Sequence, residues 1–281
     1  GRHDRGKVAA VMSDRYPLIS GAEPWSAPGA GARAGIGIVV SHGFTGNPTA
    51  TRGVGEALAG RGFAVEVVRL PGHGTHWRDM KATRYVDWRG EVERAAVALH
   101  AAGKRVVVAG LSLGGTIALD LAASRGDVLA GAVAINGTVL DRAGVAARLA
   151  PVTQLFIPAI PARLAGLAKN DIARGGDEHA YPTVPLKAAY SAMRVLPALR
   201  AALPGIAIPV LVAYSPQDHS VSPENSRAVL RALAGKDVTE LVLERSFHVA
   251  TLDHDADLLV DEITRFADRV AGPGAAAAGP A

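Results

Sequence analysis

The chain has 281 residues, 49% hydrophobic but only 5% aromatic, with 30 Lys+Arg against 26 Asp+Glu for a formal net charge of +4. That length holds one large α/β domain or two small ones, and its basic residues are scattered, without the basic stripe and interleaved aromatics of a nucleic-acid-binding face. Having no cysteine, it forms no disulfide and no Cys-ligated metal site, and no run of about 18 apolar residues is present to span a membrane.

Residues 1–15 are polar and read as a flexible extension. Without the apolar stretch of a signal peptide, the expected location is cytoplasmic. Residues 16–25 contain Pro17 and Pro24 and suggest an edge strand or hairpin. Residues 37–42 are almost continuously apolar, as a central parallel strand should be. A helix is expected over 48–60, with proline at its start and glycine at its end, then a strand over 63–70 and a turn-rich loop over 71–77. His73 and His76 in that loop invite a metal reading, but no further ligands cluster with them, and a structural role is expected. Residues 85–101 carry Val86, Val92, Ala95, Ala96 and Leu99 at helical spacing.

The strand over 105–109 runs into Gly110-Leu111-Ser112-Leu113-Gly114-Gly115, and residues 116–122 read as a helix. A Gly-x-Ser-x-Gly recurs by chance in roughly one or two of ten chains this rich in glycine. Strand, sharp turn and helix together are more specific: they hold a serine hydroxyl at the tip of a strained turn, with a helix N-terminus behind it. Ser112 is therefore the candidate nucleophile. His42-Gly43-Phe44-Thr45-Gly46 follows a central strand, where a loop can bring a backbone N–H beside the turn. The N–H groups of Phe44 and Leu113 are the candidate oxyanion hole.

A further strand is expected over 129–135, ending at Asn136. The alternation of strands and helices, which implies a mostly parallel sheet covered on both faces, then stops. Residues 138–205 are rich in Ala, Leu and Pro, with no clear strand, and are read as a cap over the strand ends. Residues 155–160 and 164–168 are apolar enough to line an acyl pocket or to dock the cap on the sheet. The sheet resumes over 208–214. Asp218, just past that strand, is the candidate acid. A last strand over 238–243 precedes His248, and a closing helix spans about 256–270. Residues 271–281 are a Gly/Ala/Pro tail expected to be disordered. The core thus comprises 16–137 and 206–270.

Of nine histidines, only His219, His248 and His254 follow both Ser112 and Asp218. His219 adjoins Asp218 and cannot easily bond it and reach Ser112. His254 belongs to the start of the closing helix, where Asp253 and Asp255 are expected as cap and first-turn charge. His248 remains as the base. Ser112, Asp218 and His248 then form a triad in which the imidazole takes the serine proton and the carboxylate orients it. No metal or other cofactor is required.

With these residues in place, the sequence resembles the bacterial monoacylglycerol lipases and related carboxylesterases of the α/β-hydrolase superfamily, from about residue 16 to 267. The resemblance rests on the motifs at 16–24, 42–46, 69–76, 110–115 and 248–253. It implies an α/β-hydrolase fold with an inserted cap, the same triad, and cleavage of a glycerol monoester of a fatty acid. It further implies that Glu178, in Glu178-His179-Ala180-Tyr181, contacts the glycerol hydroxyls. Leu167 or Ala168 would be an apolar residue over the pocket, and Asn136 a strand-end residue that is structural or contacts substrate. The expected partner is a small lipid ester, with transient contact of the cap with lipid surfaces. A carboxylesterase for shorter acyl esters, and a non-catalytic ligand-binding protein on the same fold, are the alternatives.

Overall fold

The computed structural model describes residues 14–140, 145–167 and 170–272, with the backbone alone for residues 145–150. The elements run β1 (Trp25–Ala27), β2 (Ile36–Ser41), α1 (Arg52–Gly60), β3 (Ala64–Val68), α2 (Trp77–Met80), α3 (Tyr85–Ala101), β4 (Arg105–Leu111), α4 (Leu113–Ser124) and β5 (Leu129–Ile135). They continue with α5 (Val145–Phe156), β6 (Ala159–Pro161), β7 (Thr183–Pro185), α6 (Leu186–Met193), α7 (Leu196–Ala202), β8 (Val210–Tyr214), α8 (Glu224–Ala232), β9 (Val238–Val242) and α9 (Ala256–Ala271). Seven strands form one sheet in the order β1-β3-β2-β4-β5-β8-β9. Only β1 is antiparallel to its neighbour.

The split of each strand between two faces explains the near-continuous apolar runs. Val106 and Val108 of β4 pack into a layer with Trp88 and Val92 of α3 and Ile117 of α4. Val107, Ala109 and Leu111 pack into the opposite layer with Leu58 of α1 and Ile263 and Phe266 of α9. Both faces are covered, so both sets must be apolar. Each fully buried valine contributes about 1.5–3 kcal/mol relative to exposure. The chain order reverses between β2 and β4, and the strand ends at such a reversal form a crevice open to a ligand.

The expected strands from residue 37 onward are present with ends shifted by a residue or two. Residues 16–25 differ: Pro17 and Pro24 lack the N–H a ladder needs, and the edge strand is only Trp25–Ala27. Residues 48–60 begin as a 3-10 turn, Pro48–Ala50, before α1 starts at Arg52. The stretch expected to lack strands carries β6 and β7, paired antiparallel. Each is three residues long and contains a proline, so neither shows an alternation. Helices α2 and α8 were not anticipated. Asp14 and Arg15 are not free: Asp14 pairs with Arg69 at 2.7 Å, and the Arg15 N–H donates to Asp79 at 3.2 Å. Helix α9 runs through Ala271, which is buried. The rest of the expected extension and tail, residues 1–13 and 273–281, lies outside the described residues. Among those described, no helix is long and apolar enough to cross a membrane.

Candidate active site

Ser112 joins β4 to α4 at φ +56°, ψ −114°, a conformation that L-residues adopt only when their surroundings hold them there. A Cβ on Gly110 would lie 2.1 Å from the Gly114 carbonyl carbon, and one on Gly114 would lie 2.5 Å from the Ser41 oxygen. Glycine is therefore required at both positions for the turn to close against β2. The Ser112 N–H donates to Ile135 O at 2.8 Å. Leu113 is the first residue of α4, where a helix leaves its N–H groups without intrahelical partners.

The loops after β8 and β9 bring the two other predicted groups together. Asp218 Oδ2 and His248 Nδ1 are 2.7 Å apart. Asp218 Oδ1 accepts the N–H groups of Ser220 (2.8 Å) and Val221 (2.7 Å), which fixes the carboxylate. Burial pulls the His248 imidazole down. The hydrogen bond and charge of Asp218, with the charges of Glu178 and Asp171, outweigh that and leave it above its ordinary pKa.

Ser112 and His248 line one cavity of about 270 Å³, with Gly43, Phe44, Leu167 and Glu178 also on its wall. Ser112 also lines a smaller recess of about 100 Å³, walled by Leu113, Thr116, Leu140, Met193 and Leu196. Glu178 is held by its backbone. Its N–H donates to Asn170 Oδ1 (3.2 Å), and its carbonyl accepts from Thr49 Oγ1 (3.3 Å) and Asn47 Nδ2 (3.5 Å). Burial, opposed by the charge of His248, raises its carboxyl above the usual range. Ala168 lies outside the described residues.

Asn136 does not reach the cavity. Its amide is consumed by the backbone around the base: Nδ2 donates to His248 O (2.7 Å) and Oδ1 accepts Ser215 N–H (2.8 Å). A substrate contact there is replaced by a brace. Asp253 and Asp255 also brace this loop instead of capping α9 through their side chains. Asp253 accepts the N–H groups of Phe247 (2.9 Å) and Ala173 (2.6 Å), and Asp255 accepts those of Arg245 (2.8 Å) and the Ser246 hydroxyl (2.9 Å). Residues 155–157 and Leu164 do not line the cavity either, and their side chains are exposed. The wall on that side is Pro161, Ala162, Arg163 and Leu167.

Three contributors were not read from the sequence. Tyr181 pins the Glu178 segment to the core, its hydroxyl donating to Gly72 O (3.0 Å) and accepting Thr75 N–H (2.8 Å). Asn47 holds the same segment through His179 O (3.0 Å). Asp171 reaches both the Asp218 and His248 loops. Their partners lie far off in the chain and carry no local pattern; only the Ala180-Tyr181 pair was visible, as part of a motif. The non-glycine residues with positive φ among those described, Thr45, Ser112, Asn136, Asn170 and His179, all belong to the cavity or its braces. Strain gathered at one place is a mark of a functional site.

His42 and His73 are fully buried. His42 Nδ1 donates to Gly43 O (2.9 Å), so its Nε2 accepts Leu70 N–H (3.1 Å). Burial lowers its pKa to about 4. Neutral, it supports the loop that carries Phe44. His76 stacks on Tyr16 with ring centroids 4.5 Å apart and accepts Arg78 N–H at the start of α2.

Residues 34–255 match the serine aminopeptidase S33 family, and the chain is 34% identical over 263 residues, 93% of its length, to all of a thermostable monoacylglycerol lipase from a Bacillus species. The chain belongs to this family. The chain is also 24% identical to a carboxylesterase of Bacillus subtilis, with 83% of this chain and 92% of that protein aligned. Among solved structures, one of LipS and LipT, two metagenome-derived lipolytic enzymes, superposes with a TM-score of 0.80 at 31% identity, covering 90% of this chain and 100% of that one. A soluble variant of the Saccharomyces cerevisiae monoglyceride lipase superposes at 0.73 with 18% identity, covering 93% and 97% of the two chains, and shows the shared fold. The S33 chain is thus a serine hydrolase on the α/β-hydrolase fold, as its motifs led one to expect.

Proposed function

We propose that the chain is an esterase that cleaves monoacylglycerols to glycerol and fatty acid through an acyl-enzyme, with residues 138–205 acting as a cap. The observation that carries this reading is the pairing, in one cavity, of Ser112 and His248 with the half-buried carboxylate of Glu178. His248, oriented by Asp218, takes the Ser112 proton as Oγ attacks the ester carbonyl. The N–H groups of Phe44 and Leu113 receive the developing oxyanion. His248 then gives the proton to the departing glycerol oxygen, and water, activated by the same imidazole, releases the acid. Glu178 accepts hydrogen bonds from the glycerol hydroxyls. The apolar recess beside Leu140, Met193 and Leu196 receives the acyl arm. No cofactor takes part.

The small volume of that recess favours the second reading, a carboxylesterase for short acyl esters. Glu178→Gln separates the two. On the alkaline plateau it is expected to raise KM for monoacylglycerol about 10-fold, the loss of a charge-assisted hydrogen bond, while leaving p-nitrophenyl butyrate hydrolysis unchanged. Equal effects on both esters, or preference for acetyl esters over monoacylglycerol, favour the second reading. Faster cleavage of aminoacyl nitroanilides than of either ester contradicts both.

A further inference from the structure

Besides Asp218, a second carboxylate touches both loops that carry the proposed acid and base. Asp171 lies between β6 and β7 and is only 6% exposed. Its Oδ1 is 2.7 Å from His219 Nδ1. Its Oδ2 accepts the backbone N–H of His219 at 3.0 Å and that of His248 at 3.3 Å. Its carbonyl accepts the Val249 N–H at 3.0 Å. One residue therefore bonds the neighbour of Asp218, His248 itself, and the residue after His248. A buried carboxylate persists only where donors fill its lone pairs, and here those donors belong to two loops that leave different strands.

The segment around Asp171 is fixed on its other side as well. Ile172 is buried with Leu243 and Val249. Asp253, which accepts the Phe247 N–H, also accepts the N–H groups of Ala173 and Arg174. The segment then leads to Glu178, whose N–H bonds Asn170. His219 closes the arrangement from the solvent side, its ring edge-on to Phe247 at 4.6 Å between centroids.

We propose that Asp171 is a positioning residue: its carboxylate, with His219, clamps the Asp218 loop to the His248 loop. The proposal rests on the serine hydrolase reading of Ser112, Asp218 and His248, but not on the identity of the ester. Proton transfer between oxygen and imidazole is steep in distance, and a displacement of about 1 Å costs on the order of 100-fold in rate. A clamp that sets the spacing of acid and base therefore acts on turnover and not on substrate affinity.

The test compares Asp171→Ala and Asp171→Asn with the parent on p-nitrophenyl butyrate and on a monoacylglycerol, with thermal unfolding recorded alongside. Alanine is expected to lower kcat about 10- to 100-fold on both esters, with KM within about 3-fold of the parent. Asparagine keeps an acceptor for the two backbone N–H groups and offers its NH2 to an unprotonated His219 Nδ1, so it is expected to recover most of the lost kcat. Parent-like kcat in the folded alanine variant overturns the clamp. So does a loss confined to monoacylglycerol, or one that asparagine does not relieve. If the alanine variant does not fold, His219→Ala takes its place, and an unchanged kcat on p-nitrophenyl butyrate overturns the clamp. Ser112→Ala, run in parallel, keeps the two ideas apart: turnover that survives it removes the serine hydrolase reading, whereas the Asp171 results bear on the clamp alone.

Discussion

At the scale of single residues, His248 sits among three carboxylates, Asp218, Glu178 and Asp171, whose charges all favour its protonated form. A general base must be neutral to accept a proton. The imidazole pKa lies above its ordinary value, so kcat/KM is expected to fall on the acid side already as pH drops through that raised value. Glu178→Gln removes one of the charges favouring the imidazolium. The acid limb of kcat/KM for p-nitrophenyl butyrate should then move to lower pH. A limb that stays in place, or moves to higher pH, contradicts the electrostatic coupling of Glu178 to His248.

At the scale of elements, the end of α5 and the turn after β6 carry an apolar surface. Val152, Leu155, Phe156, Ile157 and Leu164 are all exposed, Phe156 to 80%. The sequence pattern suggested that residues 155–160 and 164–168 line an acyl pocket or dock the cap on the sheet. Apolar content alone does not say which way a short, proline-broken segment faces, and here the cavity wall comes from the residues between them, Pro161, Ala162 and Arg163. We propose that this surface meets lipid aggregates. Phe156→Ser with Leu155→Ser is expected to reduce binding to phosphatidylcholine vesicles about 100-fold or more, since each buried large side chain contributes about 1.5–3 kcal/mol and about 1.4 kcal/mol is tenfold, and to leave hydrolysis of a dissolved short ester intact. Equal vesicle binding by parent and variant contradicts it.

The parallel strands and the turn at Ser112 were legible in the sequence because each is dictated locally. Strands covered on both faces need unbroken apolar runs, and the Ser112 turn needs glycine where backbones touch. Chain order then singled out Asp218 and His248. Asp253 was misread, Asp171 was missed and Asn136 was left open between two roles, for a common reason. Each acts through backbone groups that no local pattern marks, Asn136 through Ser215 and His248, Asp253 through Phe247 and Ala173, and Asp171 through His219 and His248, and a polar residue gives no sign in the sequence of which backbone group it will bond.

At the scale of the whole molecule, β2, β4, β8 and β9 deliver the Phe44 loop, Ser112, Asp218 and His248 to the C-terminal ends of the parallel strands. Glu178 and Leu167, from the stretch between β5 and β8, line the same cavity as Ser112 and His248. Groups contributed from residues 42 to 248 act together only if the sheet holds them in register, so the chemistry is a property of the assembled fold. The claim on which this depends is that Ser112 is made nucleophilic by His248. Peptide mapping by mass spectrometry after treatment with a fluorophosphonate tests it most directly. The parent should carry a single adduct on Ser112, and folded His248→Ala should carry almost none over the same time; an adduct on another residue, or equal labelling of Ser112 in both proteins, contradicts the claim.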